Sequence, residues 1–201
     1  MNKPLKYDNN KISVIGCGKV GMTAAFAMLL KGLPNQLVLL GRHKGPLIGE
    51  ELDLEHAMCF LGQAEIKATD NYNDIAHSDV VIITAGAAQK PGETRLDLAK
   101  KNIAIIEQII PMVVRHSPDS VILVVSNPVD VLTYKAYQLA GLPKGRIFGS
   151  GTTLDTARFR FHLAEFLKVN PRSVHAYILG EHGDSSFPVI SSASIGGQPL
   201  A

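Results

Sequence analysis

The amino-acid sequence predicts an α/β fold with a doubly wound parallel sheet, and two observations support that prediction. A short apolar run over residues 12–15 is followed by glycines at positions 16, 18 and 21, and then by an apolar segment long enough for a buried helix. Two continuous runs, the β-branched residues 80–84 and the apolar residues 121–125, are typical of parallel strands covered on both faces. Because such strands alternate with helical segments, we expect crossover connections between them.

The other elements follow the same alternation as far as Arg146. We expect strands over residues 36–40 and 64–68, and helices over residues 22–30, 50–60 and 97–116, with a further helix that ends at Ala140. Residues 85–95 form a polar loop hinged at Pro91 and Gly92.

The pattern changes beyond Arg146. It predicts a helix over residues 152–167, a strand over residues 174–179 and a polar loop over residues 180–185. These segments are too few to bury a full core of their own. We therefore divide the chain into a first domain over residues 1–145 and an incomplete second domain over residues 146–201.

Composition and charge exclude several classes of protein. Of the 201 residues, 46% are hydrophobic and 19% are charged, which indicates a globular chain rather than a disordered one. The formal net charge of +2 is too small to favour nucleic acid or an anionic membrane as partner. Cys17 and Cys59 give neither a disulfide framework nor the spacing of metal ligands. Since there is no signal-peptide core and no apolar run of bilayer length, we expect a cytoplasmic location.

The three glycines near the amino end have the spacing of a dinucleotide-binding turn. In such a turn Gly16 permits the tight reversal, Gly18 lets a pyrophosphate approach the backbone, and Gly21 lets the helix pack close to the strand. The helix that follows offers unpaired N–H groups to a phosphate. This spacing also arises by chance, and it is the strand before and the helix after that favour dinucleotide binding.

Five polar residues are candidates for chemistry. Asp155 and Arg158 lie three residues apart on one predicted helix and so share a face, while His182 lies in the polar loop after the next strand. A carboxylate beside a histidine fixes its tautomer, so that the ring can exchange a proton with a substrate oxygen. Arg95 lies in the hinged loop, and Asn127 ends a strand where ligands of open α/β sheets bind.

Each candidate also has a purely structural interpretation. Charges three residues apart on a helix are usually a surface ion pair, and a lone loop histidine is more often solvated than catalytic. Arg95 fits an exposed loop charge equally well, and Asn127 before Pro128 fits a simple turn. Spacing alone leaves these alternatives open.

Five blocks of sequence, in order, resemble the L-lactate/malate dehydrogenases. They are VIGCGKVGM, ITAGAAQKPGETRLDL, VSNPVDVLTY, GSGTTLDTARFR and ILGEHGDSSFPV. The resemblance implies a nucleotide-binding domain followed by the first part of a substrate domain. It implies that His182 is the proton donor and acceptor, that Asp155 orients it, that Arg158 holds the substrate carboxylate, that Arg95 polarises the reacting carbonyl, and that Asn127 binds at the nicotinamide and the substrate oxygen.

The resemblance further implies NAD as cofactor, with one departure. The implied cofactor-binding residues are Gly16, Gly18, Val20, Gly21, Gly41, Arg42, Ala85, Gly86 and Asn127. Position 41, about twenty residues after the third glycine, usually carries an acidic residue that binds the adenosine ribose. Here it is Gly41, and Arg42 follows, so NADP is the alternative cofactor.

Gln89 lies where this family separates lactate from malate enzymes. Glutamine there resembles a lactate dehydrogenase, since the malate enzymes carry arginine, and pyruvate or L-lactate is the implied substrate. The alternatives are a malate dehydrogenase that uses NADP, and a truncated nucleotide-binding module without turnover. Arg160 and His175 resemble the fructose 1,6-bisphosphate site of the activated bacterial enzymes, with two scattered basic residues as the alternative. The resemblance also implies a homodimer or homotetramer.

Overall fold

The computed structural model describes residues 10–88 and 91–200 of the chain. It divides into two units, Met1–Gly149 and Ser150–Ala201, and each is described by itself. In the described ranges, none of the helices is long and apolar enough to span a membrane.

The first unit is a six-stranded parallel sheet with helices on both faces. Its elements are β1 (Lys11–Ile15), α1 (Lys19–Leu30), β2 (Gln36–Leu40), α2 (Lys44–Ala57), β3 (Glu65–Thr69), β4 (Val80–Ile83), α3 (Arg95–His116), β5 (Val121–Val124), α4 (Val129–Ala140) and β6 (Ile147–Gly149). Short 3₁₀ turns follow α2 at Met58–Phe60 and β3 at Tyr72–Ile75. The strand order is β3-β2-β1-β4-β5-β6, with all strands parallel. The chain adds β2 and β3 on one side of β1 and then crosses to the other side for β4, β5 and β6, which confirms the predicted doubly wound fold.

Apolar residues fill both sides of this sheet. Along β2, Val38 and Leu40 belong to one buried cluster, while Leu37 and Leu39 belong to the other. The first cluster packs against α3 and α4, and the second packs against α1 and α2. Since successive strand side chains point to opposite faces, nearly continuous apolar strands are what a sheet covered on both sides requires.

Three helices begin earlier than the sequence predicts, and the first of them, α1, starts at Lys19 rather than residue 22. Helix α2 starts at Lys44 rather than residue 50, because Pro46 lies in the first turn, where its missing N–H costs nothing. Helix α3 starts at Arg95 rather than residue 97, because Thr94 and Asp97 form a capping box. The Asp97 N–H donates to Thr94 Oγ1 at 3.1 Å, and the Thr94 N–H donates to Asp97 Oδ2 at 3.2 Å. The Thr94 hydroxyl also donates to Asp97 Oδ2, at 2.6 Å, and this bond together with the one from the Thr94 N–H lowers the pKa of the Asp97 carboxyl.

The second unit is one helix with two small antiparallel sheets. Its elements are α5 (Thr153–Leu167), β7 (Val174–His175), β8 (Ile178–Leu179), β9 (Phe187–Pro188), β10 (Ser194–Ile195) and β11 (Gln198–Pro199), with 3₁₀ turns at Pro171–Ser173 and Ile190–Ser192. One sheet has the order β11-β10-β7, and the other pairs β8 with β9.

The predicted strand over residues 174–179 is wrong, because it is two strands in different sheets. The break falls at Ala176 and Tyr177, where side chains of α5 bind the backbone. Arg160 Nε donates to the Ala176 carbonyl at 2.8 Å, and the Ile178 N–H donates to Thr156 Oγ1 at 3.0 Å. Because side chains satisfy these backbone groups, the chain is able to leave one sheet and enter the next.

Candidate functional site

The glycine turn between β1 and α1 is closely packed on one side and open on the other. Gly16 has φ of +99°, and a Cβ there would collide with the backbone of Ala85. A Cβ on Gly21 would collide with the Gly16 carbonyl oxygen and would lie 2.7 Å from Thr84 Oγ1. A Cβ on Gly18, in contrast, would meet no atom within 4 Å. The turn therefore presents bare backbone to open space, which is the geometry that a pyrophosphate needs.

A cavity of about 760 Å³ opens beside this turn in the first unit. Its lining includes the turn residues, the end of β2, the start of α2, residues after β4 and one face of α3. Cys17 lies in the turn, and its thiol points toward the carbonyl oxygens of Val14 and Leu40 at 3.7 Å each. Burial raises the pKa of the Cys17 thiol to about 11, so it is a neutral wall residue at pH 7. A volume of this size accommodates a small organic ligand.

A buried amide from α3 joins the segments that follow β4 and β5. Asn102 is 2% exposed, and its Oδ1 accepts a hydrogen bond from the Ala87 N–H at 2.7 Å. Its Nδ2 donates to the Asn127 carbonyl oxygen at 2.6 Å. Gly86, which lines the cavity, packs against this amide, since a Cβ there would lie 3.5 Å from both amide atoms. The amide thus holds the backbone of Ala87 and Asn127 beyond the carboxyl ends of β4 and β5.

Arg95 lies on the first turn of α3, not in a loop as its sequence position predicts. The Thr94 capping box extends the helix to include it, and its side chain is exposed. Asn127 is exposed, lies three residues after the end of β5 and is joined to Pro128 by a cis peptide bond. Gln89 lies outside the described residues.

In the second unit, Asp155 and His182 form a hydrogen-bonded pair. His182 Nδ1 lies 2.6 Å from Asp155 Oδ2, and about a quarter of each side chain is exposed, 29% and 24% respectively. A carboxylate at Nδ1 places the ring proton there and stabilises the imidazolium. Arg158 NH1 lies 3.5 Å from Asp155 Oδ1, with 61% of its side chain exposed. Three of the predicted residues thus lie together.

Helix α5 fixes the strand that precedes His182. Thr152, at the N-cap, donates through Oγ1 to the Ile178 carbonyl oxygen at 2.7 Å, and Thr156 accepts from the Ile178 N–H at 3.0 Å. Asp155 lies between these two threonines on the same helical face. His182 lies in the loop that joins β8 to β9. The helix thereby positions both the strand and the carboxylate that binds the loop histidine.

The predicted effector residues lie on two elements that contact each other, Arg160 on α5 and His175 in β7. Arg160 donates through Nε to the Ala176 carbonyl oxygen and stacks on Tyr177, with 4.6 Å from its guanidinium carbon to the ring centroid. His175, in β7, immediately precedes Ala176 and is exposed. Arg160 therefore has a structural role in the second unit whatever else it binds.

Comparison with known proteins decides the family. The family model for the lactate/malate dehydrogenase NAD binding domain matches residues 10–149, and the model for the lactate/malate dehydrogenase alpha/beta C-terminal domain matches residues 152–201. The chain belongs to the lactate/malate dehydrogenase family. The NAD binding domain named by the first model contains the cavity, and NAD is the cofactor that this membership indicates.

Individual members of the lactate/malate dehydrogenase family match over nearly all of this chain. The L-lactate dehydrogenase B chain of Sceloporus undulatus is 51% identical over 98% of this chain and 59% of its own length. L-lactate dehydrogenase 1 of Clostridium acetobutylicum is 50% identical over 96% of this chain and 61% of its own. The solved minor L-lactate dehydrogenase of Enterococcus mundtii superimposes with a TM-score of 0.91 at 44% identity, over 96% of this chain and 61% of its own. The chain spans about 60% of the length of these relatives.

Three residues of this lactate/malate dehydrogenase fold were not singled out by sequence reasoning. Thr84 Oγ1 donates to the Gly16 carbonyl oxygen at 2.6 Å and fixes the glycine turn to the end of β4. Asn102 bridges two segments, and Leu47 packs against Gly41. A buried polar residue in an otherwise apolar helix face was the available signal for Asn102, while Thr84 and Leu47 gave none.

Proposed function

We propose that this chain belongs to an L-lactate dehydrogenase, an NAD-dependent oxidoreductase that interconverts pyruvate and L-lactate. Family membership and the cavity beside the glycine turn support the cofactor, and the Asp155–His182 pair supports the proton transfer. The 2.6 Å hydrogen bond of that pair is the observation on which the proposal depends most. In this proposal residues 1–145 bind the cofactor, and residues 146–201 belong to the substrate domain.

Bound in the cavity, the nicotinamide would supply or accept the hydride. The roles of the chain's own residues follow from their chemistry. His182 would exchange the proton at Nε2, the ring nitrogen that Asp155 does not bind, while the carboxylate stabilises the imidazolium. Arg158 would hold the substrate carboxylate through two parallel hydrogen bonds, and Arg95 would polarise the carbonyl. Asn127 would bind at the nicotinamide and the substrate oxygen.

Substrate choice is assigned to Gln89. Pyruvate and oxaloacetate share the 2-oxo acid group and differ at the far carbon, which is a methyl in one and a carboxylate in the other. A glutamine donates hydrogen bonds but has no positive charge, so that a buried carboxylate would lack a partner. We expect Gln89→Arg to shift preference toward oxaloacetate by supplying a bidentate cation. An unchanged ratio of kcat/KM for the two acids would contradict this role.

The test of the catalytic pair uses nicotinamide absorbance with pyruvate and NADH. His182→Gln and Asp155→Asn are each expected to lower kcat by at least about a hundredfold, because general acid–base catalysis contributes that much. The chain offers a matched control, since His162 and Glu165 form an exposed histidine–carboxylate pair at 3.2 Å on α5. His162→Gln is expected to leave kcat unchanged. Equal effects of His162→Gln and His182→Gln would contradict the proposal.

A second candidate is a nucleotide-binding module without turnover. It is supported by one observation, that all the residues lining the cavity beside the glycine turn lie in the first unit. NADH binding with no loss of nicotinamide absorbance on addition of pyruvate or oxaloacetate would select this module. Turnover of either acid would exclude it.

Regulation and assembly belong to the same proposal. Arg160 and His175, together on α5 and β7, are proposed to bind a phosphate of fructose 1,6-bisphosphate. Pyruvate saturation curves that superimpose with and without this sugar phosphate would remove the effector site. We further propose a homodimer or homotetramer in the cytoplasm, and light scattering after size exclusion measures the assembly.

A further inference from the structure

This inference rests on the proposed function and concerns the cavity residues that follow β2. In dinucleotide-binding folds of this type, that position binds the adenosine ribose. Strand β2 ends at Leu40 and is followed by Gly41, whose N–H donates to the Thr69 carbonyl oxygen at 3.1 Å. In NAD-selective folds of this type, an acidic side chain at this point accepts hydrogen bonds from the adenosine ribose hydroxyls. This chain has no side chain there at all.

An apolar residue occupies the space that such a side chain would need. A Cβ on Gly41 would lie 2.8 Å from Leu47 Cδ1 and 3.5 Å from Leu47 Cγ. Leu47 is 6% exposed and lines the cavity beside Gly41. A side chain at position 41 would therefore require the Leu47 side chain, on the first turn of α2, to move.

Basic residues follow Gly41 in the cavity wall. Arg42 and His43 both line the cavity and are exposed. Within residues 10–88 and 91–200, no carboxylate lies within ion-pair distance of Arg42. An unpaired guanidinium is the group that binds a phosphate through two parallel hydrogen bonds.

One carboxylate remains in the described lining, and it already has a partner. Asp70 follows β3, and its Oδ2 accepts a hydrogen bond from the Lys44 N–H at 3.2 Å, at the start of α2. The positive end of that helix offsets part of the charge of Asp70. Asp70 therefore repels an incoming phosphate less than a carboxylate at position 41 would.

We propose that this site accepts a 2′-phosphorylated dinucleotide, NADP, as readily as NAD, with Arg42 as the partner of the 2′-phosphate. Gly41 removes the group that would repel this phosphate, and Leu47 packs into the space beside it. NADPH is expected to bind within about tenfold of NADH, a difference of about 1.4 kcal/mol or less.

The test measures dissociation constants of NADH and NADPH by nicotinamide fluorescence. Adenosine 2′,5′-bisphosphate and adenosine 5′-monophosphate serve as competitors that probe the adenosine end alone. Arg42→Ala is expected to weaken the binding of NADPH and of the bisphosphate about 10- to 100-fold, because a charge-assisted hydrogen bond is lost. The dissociation constant of NADH is expected to change little. Arg115→Ala removes an exposed arginine outside the cavity lining and is expected to change neither.

The reverse change tests position 41. Because Asp at this position meets Leu47, Gly41→Asp is made in a Leu47→Ala background and compared with Leu47→Ala alone. The aspartate is expected to restore a preference for NADH of more than tenfold. Asp70→Asn is made in parallel, and a loss of NADH affinity there would show that Asp70 holds the ribose instead, which overturns the role given to Gly41.

The outcomes separate the two proposals. A preference for NADH above about tenfold in the unaltered protein, more than about 1.4 kcal/mol, overturns the 2′-phosphate inference and leaves the proposed function intact. Failure of both NADH and NADPH to bind overturns the proposed function and this inference together. An equal loss of NADPH affinity in Arg42→Ala and Arg115→Ala would show that the effect comes from the net charge of the protein. That result overturns the assignment of the 2′-phosphate to Arg42.

Discussion

The two units of this chain differ sharply in what they bury. The first has two apolar clusters with large side chains such as Leu37, Ile106 and Leu132, all fully buried. The buried core of the second consists of Ala164, Val174, Ala176 and Ala193, while Phe161 and Phe166 on α5 are exposed. Burial of large apolar side chains is the main stabilising term in folding. The cavity therefore lies in the well-packed unit, and the Asp155–His182 pair lies in the weakly packed one.

The largest expected effect comes from matched core substitutions in the two units. Val81 in β4 and Val174 in β7 are both valines on strands, with 0% and 1% exposure. Val81→Ala is expected to lower the free energy of unfolding of the first unit by about 2–3 kcal/mol, from lost transfer energy and the cavity left behind. Val174→Ala is expected to leave that transition unchanged. Urea unfolding followed by far-ultraviolet circular dichroism measures both, and equal shifts would show one cooperative unit.

Hydrogen exchange compares the local stability of the two units without any substitution. Amides of β1, β4 and β5 are expected to exchange only through global unfolding, because these strands are central in the sheet and covered on both faces. Amides of β7 to β11 are expected to exchange faster, through local opening. Uniformly strong protection across residues 150–200 in an isolated monomer would contradict the difference in packing.

Arg160 is expected to matter more to the second unit than its polarity suggests. Arg160→Met removes the hydrogen bond to the Ala176 carbonyl and the stacking on Tyr177, with an expected local cost of about 1–2 kcal/mol. Limited proteolysis should then cleave near β7 and β8 faster. Arg160→Lys keeps the charge but lacks Nε and the planar group, so that it should resemble Arg160→Met. If Arg160→Lys resists proteolysis as well as the unaltered protein, the positive charge alone stabilises this region.

The smallest expected effect is a pH dependence in the first unit. The pKa of Asp97 is lowered in the folded state by its bonds to Thr94, so its contribution to stability is present above the unfolded pKa. That contribution is lost as pH falls through the folded pKa. Asp97→Asn should therefore lower the free energy of unfolding at neutral pH. It should also reduce the decrease in that free energy as the pH falls. Asp53→Asn, an exposed change on α2, is the control and should leave the slope unchanged.

The first unit could be predicted from sequence because its signals are local. The continuous apolar runs of β4 and β5 indicate buried parallel strands by themselves, and the glycine spacing indicates the turn before α1. The start of α2 could not be located in this way, since Gly45 and Pro46 have the composition of a loop. Only the position of Pro46 within the first turn makes a helix possible there.

The second unit was harder to predict because its determinants are distant in sequence. Asp155 and His182 are 27 residues apart, and their pairing depends on α5 lying against β8. The split of the predicted strand over residues 174–179 depends likewise on Arg160 and Thr156, which are not part of that strand. The family resemblance, rather than any pattern in these residues, connected Asp155 with His182.

The amide of Asn102 has a further consequence, because its two ends are chemically different. Its oxygen accepts from Ala87 and its nitrogen donates to the Asn127 carbonyl, so only one orientation of the amide satisfies both partners. Aspartate would lack the donor, and leucine would lack both groups. The side-chain NH₂ of Asn102 is therefore a natural spectroscopic probe. One of its two protons is held in the 2.6 Å bond to Asn127, and its chemical shift would register any movement of either segment when a ligand enters the cavity.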